Sequence, residues 1–162
     1  MARSDYISEL KNAVEARFEL RDNVLKKELD DLAVRIARSK ASGDDEAVGV
    51  KLRLICEQDL QDRAQMTWAS IRKIHSEEVG TATPNLSSEL IGELESYMRR
   101  ATLSLAGHLR SRAKEFASEF SGQTPINADW MARQRQNAID SQRKAIDEYV
   151  SGLRKGVRRL LS

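Results

Sequence analysis

The sequence predicts an all-α fold, a long antiparallel bundle of four helices. Three observations predict it. Apolar residues recur every three or four positions through almost the whole chain, and strand-like alternation is absent. Only three short stretches break that rhythm, and two of them hold the two prolines. The segments between the breaks are nearly equal in length.

The first segment, about 5–41, carries Ile7, Leu10, Val14, Phe18, Val24 or Leu25, Leu29, Leu32 and Ile36 at helical spacing. It ends at "SKASGDD", Ser39 to Asp45. There Gly43 suits the left-handed position after a helix, and Asp44 or Asp45 suits the cap of the next. The second segment, 45–79, carries Val48, Leu52, Ile55 or Cys56, Leu60, Ala64, Trp68, Ile71 and Ile74. It ends at "VGTATPN", Val79 to Asn85. The third, 86–121, has the cleanest stripe: Leu90, Leu94, Tyr97 or Met98, Ala101, Leu105, Leu109, Phe116 and Phe120. It ends at "SGQTPIN", Ser121 to Asn127. Pro84 and Pro125 each follow a Thr, which predicts Thr as cap and Pro as first helical residue.

The fourth segment, 126–160, starts its stripe at Trp130 and resumes it at Ile139, Ile146, Tyr149, Val150, Leu153, Val157 and Leu160. Between Ala132 and Ala145 only Ile139 is large and apolar. Arg135 or Gln136, and Gln142 or Arg143, fall near the seam. Their long stems are expected to lie over it with the polar heads in water. Polar seam residues can also fix register, and a thin seam can await another chain. Gly152 and Gly156, four apart beside the stripe, suggest a weak close-packing site.

Each segment makes a helix of about 50 Å. Links of a few residues cannot cross such a rod, so sequence neighbours run antiparallel. An up-down-up-down bundle follows, with residues 1–162 as one domain. Two helical hairpins pairing in a dimer would bury the same coiled-coil-like stripes. On this layout Tyr6, Phe18, Trp68, Tyr97 and Tyr149 gather in one half of the rod, and Phe116, Phe120 and Trp130 in the other.

Composition agrees. Aromatic residues are 5% and charged residues 32%, over a background rich in helix formers. Net charge is only +2, less than a dedicated nucleic-acid binder usually shows. No stretch approaches the roughly 20 apolar residues of a membrane span. The opening "MARSDYISEL" lacks the apolar run of a signal peptide. With one cysteine, no intrachain disulfide is possible, and a reducing, cytoplasmic setting is expected.

No catalytic, metal or cofactor set emerges. A carboxylate-bridged metal pair in a bundle needs Glu-x-x-His on two helices. Arg72 precedes His75 by three residues and Leu105 precedes His108, so that motif is missing. Two histidines and one cysteine cannot make a four-ligand zinc site. Cys56 is expected in the core rather than as a nucleophile. His75, Glu77 and Glu78 are expected to form a solvated helix end. Gly-rich phosphate loops are absent.

The basic end "SGLRKGVRRLLS" holds Arg154, Lys155, Arg158 and Arg159 and no acidic residue. Leu153, Val157 and Leu160 continue the core stripe, so the cations fall on the outer face. Cations at a helix C-terminus complement its dipole, and this is their first expected role. The leading function is non-enzymatic: a helical interaction or scaffold module presenting long faces to a protein partner or to itself. The alternative is an accessory nucleic-acid-binding protein using Arg99, Arg100, Arg110, Arg112 and the C-terminal cluster to contact phosphates, and an acidic protein partner is possible through the same cluster.

Overall fold

The computed structural model describes residues 3–39, 45–117 and 125–161. It is a bundle of four helices: α1 (Arg3–Ser39), α2 (Asp45–Glu78), α3 (Leu86–Ser111) and α4 (Ala128–Leu161). Successive helices run antiparallel. Gly43 and Asp44 lie outside the described residues.

α2 ends where Gly80 takes φ 63°, with the amides of Val79 and Gly80 both donating to the His75 carbonyl at 2.9 Å. A left-handed glycine closing a helix in this way needs no side-chain cap. The starts of α3 and α4 differ from expectation. Asn85 and Asn127, not the threonines, stand immediately before the helices. Asn127 Oδ1 accepts the Trp130 amide at 2.9 Å, a side-chain cap that pins the first turn of α4. Each proline therefore lies just outside its helix.

α3 is shorter than predicted. It ends at Ser111, and residues 112–116 continue as turns. Arg112, Ala113 and Glu115 amides bond to carbonyls three residues back, which tightens the chain. Arg112 is meanwhile drawn onto Asp30 of α1 and Glu115. Phe116 is still fully buried after this turn.

The helices do not form an even square. α2 is central and packs on α1, α3 and α4. α3 also packs on α4, but α1 touches α3 only lightly and hardly meets α4. α1 is thus a peripheral helix held mainly by α2. The predicted stripes supply the core, including Leu10, Leu25, Leu52, Leu60, Leu94, Leu105, Ile139 and Ile146. One position slips: Tyr6 is buried and Ile7 is exposed. In the thin seam of α4, Ala138 and Ile139 are buried. Arg135 reaches Thr102 Oγ1 at 3.4 Å, while Gln136 and Arg143 stay exposed and bond to Asp140. Gly152 and Gly156 are not a close-packing site, since a Cβ at either would meet nothing within 4 Å.

Candidate functional site

The most concentrated chemistry lies inside the bundle. Arg21 occupies a core position of α1 between Phe18 and Leu25, and Asp59 and Arg63 do the same on α2. Asp59 accepts Arg21 Nε at 2.8 Å on Oδ1 and Arg63 Nε at 2.9 Å on Oδ2. Arg63 Nη2 donates to Asp22 Oδ1 at 2.5 Å, and Ser104 Oγ of α3 donates to the same oxygen at 2.8 Å. His108 Nε2 approaches it at 3.5 Å. Arg21 reaches Asp62 and Glu28 at the edge. The Arg63 guanidinium also lies over the Phe18 ring at 5.1 Å, with Nη1 buried and unbonded.

Burial pushes the Asp59 carboxyl upward, while the charges and hydrogen bonds of Arg63 and Arg21 pull it down. Two direct guanidinium bonds require the carboxylate, so the ion pair is the state this geometry holds. At Asp22, desolvation is outweighed by hydrogen bonds from Arg63 and Ser104, and its carboxyl is held below the usual range. The network ties α1, α2 and α3 in one register. Sequence periodicity passed over it because Arg21, Asp59 and Arg63 fall on apolar stripes. The usable signal was the Asp59–Arg63 pair, four apart and flanking Leu60.

A second polar cluster closes the opposite half of α1. His75 is buried, not solvated as expected, because α4 covers it. Its Nδ1 lies 2.7 Å from Tyr149 Oη. Tyr6 and Tyr149 stand edge-on to its ring, and Trp68 packs on Tyr149. Burial lowers the His75 pKa and raises that of Tyr149, so both are neutral near pH 7. The predicted aromatic cluster therefore forms around Tyr6, Trp68 and Tyr149, whereas Phe18 belongs to the ionic network. Phe120 lies outside the described residues.

Beside this cluster α1 and α3 diverge, leaving a cleft of about 920 Å³ bordered by Tyr6, Leu10, Leu90, Glu93 and Tyr97. Some of its polar groups are paired, while Glu78 Oε2 is buried there without a hydrogen-bond partner. Tyr6 Oη donates to Glu93 at 2.8 Å, and Lys11 and Arg100 both approach Glu15. Arg100 also covers the Tyr97 ring at 5.6 Å. Cys56 is buried in the core, its thiol pushed up to about 12 by burial and by the charges of Asp59 and Glu57. Among the described residues no group of three His, Cys, Asp or Glu side chains is placed to hold a metal ion. Among them, too, no helix is long and apolar enough to cross a membrane.

Among the described residues, the basic side chains predicted as partner contacts are spread along the rod. Arg99 and Arg100 lie mid-α3, and Arg110 and Arg112 lie at its end. Arg154 lies beside the start of α3, where its Nη2 donates to the Pro84 carbonyl at 3.2 Å. These two ends are about 40 Å apart by helical rise. Arg99, Arg110 and Lys155 are exposed, while Arg100 and Arg112 are engaged by Glu15 and Asp30. The side chains of Arg158 and Arg159, like those of Val157 and Leu160, lie outside the described residues.

The outer side of α1 carries a different surface. Leu20, Val24 and Val34 are 67%, 45% and 51% exposed. At about 100° per residue they fall within about 40° of one line along the helix. Val50 and Leu54, also exposed, make a shorter pair on α2. Sequence periodicity assigned Val24 to the core stripe jointly with Leu25, and the structure buries Leu25.

Among the described residues, the fold is a helical bundle with an ionic network inside an apolar core and exposed apolar side chains along the outer side of α1. Compared with protein-family models, curated proteins and solved structures, the chain matches none.

Proposed function

We propose that this protein is a non-enzymatic interaction module that presents the outer face of α1 to another helix. The observation that carries it is the line of exposed apolar side chains, Leu20, Val24 and Val34, on a helix that packs mainly on α2. Single exposed apolar residues are ordinary, but three on one line at helical spacing form a surface that another helix can cover. The basic residues support a phosphate-binding reading less well, because the described ones are spread along the rod and two of them, Arg100 and Arg112, already hold carboxylates. The expected setting is cytoplasmic, consistent with a single buried thiol.

Thiol labelling tests this directly. Cys56 is shielded, so a Val24→Cys variant carries one reactive thiol. On the dilute purified chain, maleimide should modify Cys at position 24 quickly. In the protein's native cells the same thiol should be protected at least about tenfold, as expected for a site in a closed helix–helix contact. Equal rates in both settings would remove the reading.

A further inference from the structure

The exposed line on α1 is longer than its apolar members. Leu20, Val24, Lys27, Asp31, Val34 and Arg38 follow at steps of four, three, four, three and four residues, and all six are exposed. That is the spacing of a heptad seam. It is distinct from the seam that α1 gives to the core, through Leu25, Leu29, Leu32 and Ile36.

The spacing of the outer seam is symmetric about Leu29. Two copies of α1 laid antiparallel around that point bring each position opposite its mirror position. Val24 then meets Val34, Lys27 meets Asp31, and Leu20 lies along the aliphatic stem of Arg38. The pairing occurs twice by symmetry, as a twofold contact requires. The geometry points to a twofold antiparallel dimer in which α1 pairs with α1 of a second copy of this chain. This rests on the interaction-module reading and names the partner of the same surface.

Charge complementarity selects this occupant. A lysine and an aspartate are placed four apart at the middle of the seam, and an antiparallel copy in this register sets each against its opposite twice. Apolar pairs flank them on both sides. The same register sets Glu28 opposite Asp30 of the second copy, and their bridges to Arg21 and Arg112 lessen the repulsion between them. Because α1 hardly meets α4, its outer side is open to a second rod. Helix overlap would run over residues 19–39, leaving the two bundles on opposite sides of the paired helices.

Sedimentation equilibrium on the full chain tests the dimer. The wild type should show concentration-dependent dimerisation. Lys27→Glu alone, or Asp31→Lys alone, places like charges together twice and should weaken the dimer at least about tenfold. The double variant Lys27→Glu/Asp31→Lys restores opposite charges and should return to within about threefold of wild type. All these side chains are exposed, and unchanged helicity by circular dichroism checks that folding is intact. A wild type that stays monomeric up to about 1 mM overturns the proposal. So does a dimer indifferent to either single reversal, or a double variant weaker than both singles. If the dimer fails while Cys at position 24 is still protected in cells, the interaction face stands with a different partner. If both fail, the face itself is not used.

Discussion

Arg63 and Asp59 stand one turn apart on α2, bonded at 2.9 Å, and neither side chain has any exposed surface. Arg21 of α1 completes the group from the other side of the same carboxylate. Breaking such a buried group leaves a charge without its partner in a low-dielectric site, whereas replacing all of it removes the desolvation cost as well. Asp59→Leu alone should destabilise the fold by about 3–5 kcal/mol. Arg21→Met/Asp59→Leu/Arg63→Met should recover much of that loss, less what Asp22 forfeits with its Arg63 bond. Urea melts of the two variants check this. A triple variant no more stable than Asp59→Leu would show that the network contributes more than paired charge.

Leu105 and Leu103 are two residues apart on α3, with the first fully buried and the second 70% exposed. Leu105→Ala should cost about 2–5 kcal/mol, through lost burial and the cavity left behind. Leu103→Ala should change stability by less than about 0.5 kcal/mol. A loss at Leu105 below that limit in denaturant melts would mean that the core face of α3 is not tightly packed.

Much of this contrast was legible in the sequence, because the 3.6-residue period separates the two leucines without any structure. The same period located the helices, the three breaks and most of the core. It failed where a polar residue occupies an apolar position, as at Arg21, Asp59 and Arg63. Hydropathy counts such a residue as a gap, while the fold counts it as a pairing across helices. It failed again at His75, where the neighbouring Glu77 and Glu78 suggested solvent and only the path of α4 supplies Tyr149 as a cover. The end of α3 was hidden for a related reason. Phe116 stays on the stripe whether the chain continues as a helix or turns. Nor does periodicity reveal that α1 lies outside an even square, since each helix carries a stripe either way.

His75 makes stability depend on pH. Burial is the main cause of its lowered pKa, opposed by the charge of Glu89. The unfolded chain, with a histidine pKa of about 6.5, binds a proton before the folded one does. Stability is therefore full above about pH 6.5 and falls as pH drops toward the folded pKa. Tyr6 and Tyr149, both raised, do not titrate in this range. Between pH 7.5 and 5.5 the melting temperature should drop more for wild type than for His75→Gln. Parallel pH profiles for the two proteins would exclude His75 as the cause.

Glycines at two places should respond with opposite signs. Gly152 sits inside α4 with open space where a Cβ would be, so Gly152→Ala should stabilise by about 1 kcal/mol. Gly80 closes α2 at φ 63°, a conformation that strains any L side chain. Gly80→Ala should destabilise by about 1 kcal/mol. Thermal melts of both variants decide this, and stabilisation by Gly80→Ala would contradict the left-handed turn.

The basic end of α4 should act first as a helix end and only then as a surface. Leu153 is half-buried and packs against the core, while Arg154 and Lys155 are exposed. Arg154 touches only a backbone carbonyl of the turn before α3 among its hydrogen bonds in the described residues. The two kinds of residue should therefore fail differently. Leu153→Ser should lower the melting temperature equally at low and high salt, because it removes apolar contact rather than charge. Arg154→Gln/Lys155→Gln should shift it by no more than about 2 °C, since exposed charges each contribute little. Melts of both variants at two salt concentrations check the distinction. Unfolding of the Gln variant would show that these cations hold the bundle closed. A Leu153→Ser variant as stable as wild type would mean that the core stripe stops before this residue.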